Sequence, residues 1–497
     1  MRYHGAMMKR RDALKALGAV AGTAGMARFL PGCGDSARPP TRGPTFVVLM
    51  MENRSYDHML GARAFEGLPG DGLRADMSNL DLDNKRVPVF PATREALCDI
   101  DPPHGWTAAH NQWNNGANDG FLKVHQTRYN LRTAVEPMQY QTRQTAAVTW
   151  ALADRYTTCD RYFAAVMGPT WPNRMYWHTG QSNGIQSNAL PTQGFNWPSI
   201  HHRLDEAGVS WASYFGNIPV VGFIQDLPGV SERIFSFGTF FDHAKAGTLP
   251  QVVYIDPAFF VNDDHPPIHP ILGQELIASV YTALATSPQW PECTLVITYD
   301  EHGGFFDHVP PPTIADDYAG MGFDQLGFRV PAMVIGPYVK EGHVSSVVYN
   351  HGSVLRHLQD LHQLSPLTMR VTASNNLMDC FDLDRMAKKQ WAAPVAIPKV
   401  VIEDWPMTPA CYPSPGATPG GAAAVTDGAL AADEDLDHPV LAWADARPDL
   451  VGRWDARGQQ DAMLREVRRQ LADNTVTLHD LLREWDLPTE PGKPQIR

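Results

Sequence analysis

Glu52 and Asn53 follow directly on the apolar run Phe46-Val47-Val48-Leu49-Met50-Met51. A carboxylate and an amide oxygen at that point suit a hard cation. Asp300 and Glu301 follow a second apolar run, Thr294 to Tyr299. Adjacent carboxylates raise each other's pKa, and a cation removes the conflict. Gly303 and Gly304, just beyond, permit a tight turn or a close backbone approach. Thr170 lies in Met167-Gly168-Pro169-Thr170-Trp171-Pro172-Asn173-Arg174, where Pro172 suits the first turn of a helix. Such a helix start points N–H groups at an anion. A metal or a base there would turn the Thr170 hydroxyl into a nucleophile. Each segment also has a plainer explanation. Asn53 can cap a helix while Glu52 pairs with Arg54, the acidic pair can be a solvated turn, and Thr170 can be a simple cap.

Phosphoryl transfer also needs donors for the equatorial oxygens and an acid for the leaving oxygen. His104, in Asp101-Pro102-Pro103-His104-Gly105-Trp106, and His265, in Asp263-Asp264-His265-Pro266-Pro267, are the candidates. Both sit in Pro-rich loops where no periodicity explains them. His308 and His351 are secondary, since His351 can simply precede or cap a helix. Trp106, Trp113, Trp171 and Trp177 flank these motifs. They form either a core or an aromatic surface for a choline headgroup.

The elements that must position these groups read as alternating strands and helices. Strands are expected at 46–51, 252–255, 294–299 and 330–335 from their continuous apolar runs. Helices are expected at 145–155 and 275–285 from apolar residues three and four apart. That alternation predicts a three-layer α/β/α sandwich around a mostly parallel sheet. Sites in such sheets gather beyond the carboxyl ends of the strands, which is where Glu52-Asn53 and Asp300-Glu301 both fall.

The formal charge of -13 argues against a broad basic face for nucleic acid. It leaves room for a site whose local field is set by a metal. Lys9-Arg10-Arg11 followed by an Ala/Gly-rich stretch predicts a twin-arginine-type export signal over residues 1–33. Leu30-Pro31-Gly32-Cys33 resembles a lipoprotein box, although Pro31 is unusual there, so Cys33 is a candidate lipid anchor. The expected destinations are the periplasm, a membrane-anchored lipoprotein or the medium. No apolar run in the body of the chain is long enough to span a bilayer. The catalytic domain is expected over 34–405, a Pro/Gly/Ala-rich linker over 406–439 and a short helical tail over 440–497. Cys98, Cys159, Cys293, Cys380 and Cys411 show no zinc-ligand spacing and are read as structural.

Together the motifs resemble the bacterial phosphoesterase family that holds non-haemolytic-type phospholipases C and a metal-dependent acid phosphatase. It is a branch of the alkaline-phosphatase-like superfamily. The resembling segments are Phe46 to Gly61, Asp101 to Asn118, Leu152 to Gly180, Trp197 to Tyr214, His265 to Pro312 and Arg329 to His357. They occur in the family's order. The resemblance implies an alkaline-phosphatase-like fold and one divalent cation, calcium, magnesium or manganese before zinc. It places the metal ligands on Glu52, Asn53, Thr170, Asp300 and Glu301. The nucleophile falls on Thr170, and the phosphate-contacting histidines on His104 and His265, with Asn173 and Arg174 expected beside the substrate.

The implied activity is hydrolysis of phosphoric esters through a phosphothreonine. A phosphatidylcholine-type phospholipase C stands first and an acid phosphatase on phosphomonoesters second. Two departures weaken the first and leave the second open: Asp300-Glu301-His302-Gly303-Gly304 stands where phospholipases often read Asp-Glu-Asn-Asp-Gly, and a short tail stands where they often carry two further β-rich modules. A surface phosphate- or metal-binding protein without catalysis is the remaining alternative.

Overall fold

The computed structural model describes residues 44–401, apart from 95–96, 98–99, 189–193 and 260. The expected signal, linker and tail lie outside the described residues, as do Cys33, Cys98 and Cys411.

Eight strands form the central sheet: Thr45–Met51 (β1), Thr157–Cys159 (β2), Trp211–Phe215 (β3), Ile234–Ser236 (β4), Val252–Asp256 (β5), Cys293–Tyr299 (β6), Ala332–Ile335 (β7) and Val344–Ser345 (β8). Their spatial order is β8-β2-β7-β6-β1-β5-β3-β4. β1 lies between β5 and β6 and is parallel to both. β3 and β4 continue the parallel run beyond β5, and β2 is parallel to β8. β7 alone runs against its neighbours β6 and β2. All seven β1 residues are buried, as a strand covered on both faces requires. Its apolar continuity is therefore a consequence of its central position.

The helices used below are Trp106–Trp113 (α1), Ala147–Arg155 (α2), Thr170–Thr179 (α3), Ile271–Ala285 (α4) and His351–His362 (α5). On one face of the sheet, His357 of α5 meets Phe46 and Trp177 of α3 meets Tyr254. α2 and α4 form a second pair, joined where the Gln274 side-chain oxygen accepts from the Val148 and Thr149 N–H groups. The α/β architecture with a mostly parallel sheet thus agrees with the sequence reading. The run at 330–335 becomes the shorter β7, and its reversed direction is a tertiary property that composition does not encode.

Two of the four tryptophans are core. Trp171 is fully buried against Phe223 and Phe259, and Trp177 against Tyr254 and His351. Helix α3 is enclosed along its whole length, and these two rings face aromatic packing partners rather than solvent. Cys159, Cys293 and Cys380 are buried free thiols. No helix among the described residues is long and apolar enough to cross a membrane.

Candidate active site

The β1/β6 register sets the site. Met51 pairs with Tyr299, so Glu52 and Asp300 leave adjacent strands at the same level. Asn53 then takes the left-handed backbone conformation, with φ of 60°, which asparagine tolerates better than most residues. Its N–H donates to Asp300 Oδ1 at 3.1 Å, and the Glu301 N–H donates to the same oxygen at 2.7 Å. Gly303 has φ of +63°, and a Cβ there would lie 2.0 Å from the Asn53 carbonyl oxygen. Only glycine lets the acidic turn close onto Asn53 in this way.

Helix α3 delivers Thr170 to the same point. The Thr170 hydroxyl donates to Glu52 Oε2 at 3.2 Å. The oxygen end of the Asn53 amide faces Glu52 Oε2 at 3.1 Å and Glu301 Oε1 at 2.8 Å, acceptor against acceptor. Asp300 Oδ2 is buried without a hydrogen-bond partner among the described residues. Glu52, Asn53, Thr170, Asp300 and Glu301 are all fully buried. Burial is the main cause that drives the Glu52, Asp300 and Glu301 carboxyls above their ordinary range. Asp300 adds to the rise at Glu52, and Arg174 opposes it. Buried carboxyl oxygens crowded together, whose ionised forms lack enough opposing charge, fit a hard divalent cation.

Two imidazoles close the opposite side. His104 Nδ1 donates to the Pro102 carbonyl at 2.8 Å and His265 Nδ1 to the Pro266 carbonyl at 2.6 Å. A ring that is neutral in this arrangement presents Nε2 as an acceptor. The nitrogen end of the Asn53 amide meets these atoms at 3.3 Å for His104 and 3.0 Å for His265. Turning the amide over would give the carboxylates a donor, but its oxygen would then need protonated imidazoles. Burial, followed by the charge of His104, pushes His265 down to about 3. The His265 Nε2 lone pair favours the orientation that aims the amide oxygen at the carboxylates.

The structure gives Asn173 and Arg174 partners of their own. The Asn173 side chain accepts from the Val166 N–H at 3.0 Å and donates to the Gly168 and Pro169 carbonyls, each at 3.0 Å. It pins the turn that carries Thr170. The Arg174 guanidinium lies on Glu52, with Nε at 2.8 Å and Nη2 at 2.6 Å from Oε1. His351 Nε2 donates to the Asp300 carbonyl at 2.6 Å, which ties α5 to the acidic turn. His308 lies apart from the oxygens, between Asp57 and Asp71.

Some residues at the site had no sequence signal of their own. Asp101 shares a ligand-atom cluster with His104 and His265, all within 4.8 Å. Asp263 accepts from the His265 N–H through Oδ1 at 3.1 Å, and its carbonyl accepts from the Glu52 N–H at 2.8 Å. Both sit beside a flagged histidine, and that adjacency was the available hint.

The model of the Phosphoesterase family matches residues 44–365, which span β1, the Thr170 turn and the acidic turn. The chain belongs to that family. The phosphoesterase is 34% identical over 368 residues to non-specific phospholipase C1 of Arabidopsis thaliana, covering 66% of this chain and 67% of the relative. It is 32% identical over 372 residues to phospholipase C B of Mycobacterium tuberculosis, covering 62% of this chain and 71% of the relative. A solved alkaline-phosphatase-superfamily protein from Vibrio parahaemolyticus overlaps it at 9% identity and a TM-score of 0.35, covering 75% of this chain and 79% of that one. That overlap is loose, and the description of the fold rests on the sheet itself. The phosphoesterase is a hydrolase of phosphoric esters.

Proposed function

We propose that the chain is a phospholipase C, cleaving the phosphodiester of a phosphatidylcholine-like lipid on its glycerol side through a phosphothreonine at Thr170. The observation that carries this is the Thr170 hydroxyl, at the start of α3, donating into the Glu52–Asn53–Glu301 oxygen cluster. A calcium, magnesium or manganese ion held by Glu52, Asn53, Thr170, Asp300 and Glu301 would lower the hydroxyl's pKa and neutralise phosphoryl oxygens. Thr170 Oγ1 forms the bond to phosphorus as the bond to the glycerol oxygen breaks. His104 and His265 stand for binding the phosphoryl group and supplying the alcohol's proton. The Nε2 lone pair of His265 would take up the proton that leaves the Thr170 hydroxyl and pass it to the departing glycerol oxygen. Water then attacks phosphorus, Thr170 regains its hydrogen and the phosphorylated headgroup leaves.

The names of the relatives support the phospholipase reading. The sequence Asp300-Glu301-His302-Gly303-Gly304 supports the alternative, an acid phosphatase on monoesters. Parallel assays on phosphatidylcholine vesicles and p-nitrophenyl phosphate, with and without chelator, separate the two. The proposal requires chelator-sensitive release of phosphocholine. Hydrolysis of the monoester alone would favour the phosphatase.

Export by the Arg10-Arg11 signal, with Cys33 as a lipid attachment point, belongs to the same proposal. Replacing both arginines by lysine should hold the precursor in the cytoplasm, and normal export of that variant would contradict the twin-arginine assignment.

A further inference from the structure

We infer that Arg174 is a positioning residue that divides the two oxygens of Glu52, holding one so that the other faces Thr170 and the cation. This rests on the cation site proposed above and adds to it a role for a residue outside the ligand set. Arg174 follows Thr170 by four residues on α3, so one helical face carries both to the end of β1. Its Nε and Nη2 both engage Glu52 Oε1, at 2.8 and 2.6 Å, while Glu52 Oε2 accepts from Thr170 at 3.2 Å. Nη2 also reaches the Met50 and Met51 carbonyls at 3.2 and 3.3 Å, which fixes the guanidinium against the strand rather than against Glu52 alone.

The plane is held from other sides as well. The guanidinium carbon sits 4.9 Å from the centre of the Phe259 ring. Asp300 Oδ2 lies 3.6 Å from Nε and Asp256 Oδ1 lies 4.0 Å from Nη1. All of Arg174 is buried. A two-point fork on one carboxylate oxygen is a geometry that guanidinium offers and ammonium does not. A carboxylate clamped in this way meets its cation through a single preset oxygen, as outer partners do for ligands in other metal sites. The donors of Nε and Nη2 are committed to Glu52 and the strand, which leaves Nη1, 4.0 Å from Asp256 and without a hydrogen-bond partner among the described residues, as the part of the guanidinium that holds nothing in place.

The test is isothermal calorimetry of Mn²⁺ binding to full-length native protein, Arg174→Gln and Arg174→Lys, each checked for folding by circular dichroism. Positioning predicts weaker Mn²⁺ binding in Arg174→Gln by about 10- to 100-fold, the usual cost of losing a ligand's outer partner. Arg174→Lys, which keeps the charge and most of the volume, should fall between the two and keeps the test open if the glutamine variant fails to fold. At saturating Mn²⁺, Arg174→Lys should leave KM for p-nitrophenylphosphorylcholine unchanged, because no substrate contact is lost.

A merely electrostatic role predicts the opposite sign, since removing a cation beside the site would tighten Mn²⁺ binding. Equal or tighter binding in Arg174→Gln, or a raised KM with unchanged Mn²⁺ affinity in Arg174→Lys, would overturn the inference while leaving the cation site intact. Native protein that binds no Mn²⁺ would remove the cation site and this inference with it.

Discussion

The same two chain segments, 52–58 and 300–308, build two acidic clusters of different character. One is the oxygen cluster around Glu52, Asp300 and Glu301, where Arg174 is the neighbouring cation that offsets three carboxylates. The other joins Asp57, Asp71 and Asp307 to Arg329, Arg161 and His308. Arg329 bridges Asp57 at 3.0 Å and Asp307 at 2.9 Å. Arg161 meets Asp71 at 2.6 Å. His308 meets Asp57 through Nδ1 at 2.6 Å and Asp71 through Nε2 at 3.1 Å, so its ring is a double donor and carries a proton.

Burial would raise Asp71, but His308, Arg329 and Arg161 outweigh it and hold that carboxyl below its ordinary range. Burial pushes Asp307 up to about 6 against the pull of Arg329, whose guanidinium lies 2.9 Å away. The second cluster therefore balances its charges within the protein, and the first does not. Chemical resemblance between acidic clusters does not identify a metal site, whereas an uncompensated surplus of buried oxygen does point to one.

The largest effect that can break this contrast lies at Thr170. Thr170→Ala should cost about four to six orders of magnitude in turnover on any phosphate ester, the usual loss for a nucleophile. Thr170→Ser keeps the oxygen and should retain substantial activity. Both should fold, because a helix-start threonine contributes only about 0.5–2 kcal/mol.

Next come two substitutions of opposite expected sign. Arg329→Gln leaves Asp57 and Asp307 buried without their cation and should destabilise the protein by about 3–5 kcal/mol. Asp300→Asn removes a carboxylate from a crowded site, so the metal-stripped protein should become more stable in urea titrations. The same variant should lose Mn²⁺ affinity by about 100-fold or more, beyond the cost of losing an outer partner. A destabilised metal-free Asp300→Asn would mean that the first cluster is balanced after all.

How much of this was legible in the sequence follows from how each residue is held. Glu52, Asn53, Asp300 and Glu301 could be picked out because they end continuous apolar runs, and parallel neighbours of similar length end together. Thr170 could be picked out because Pro169 and Pro172 mark a helix start. The partners of Arg174 and Asn173 were not legible, because they depend on the angle at which α3 meets β1. The pairing of His308 with Asp71, and of Arg329 with Asp57, spans more than two hundred positions and leaves no local trace. Trp171 and Trp177 sit beside the motif in sequence yet turn into the core, because adjacent helical residues face different sides.

The smallest expected effect is on pH dependence. Burial would lower His308, but its hydrogen bond to Asp57 and the nearby carboxylates outweigh this and raise it. A group raised in the folded state stabilises below its unfolded pKa and loses that contribution as pH rises through the folded value. Native protein should therefore exceed His308→Gln in stability at pH below the ordinary imidazole range of about 6.5. The gap should narrow as pH rises above it. A gap that stays constant or widens with pH would mean that His308 is not held as a cation.

The most direct test of the central claim is rapid acid quenching during steady turnover, followed by mass mapping of the Thr170 peptide. The account predicts a phosphoryl-linked group on Thr170 that is absent from Thr170→Ala and from chelator-treated protein. No modification on Thr170 during turnover, together with a folded Thr170→Ala that hydrolyses near the native rate, would contradict it and transfer the attack to water.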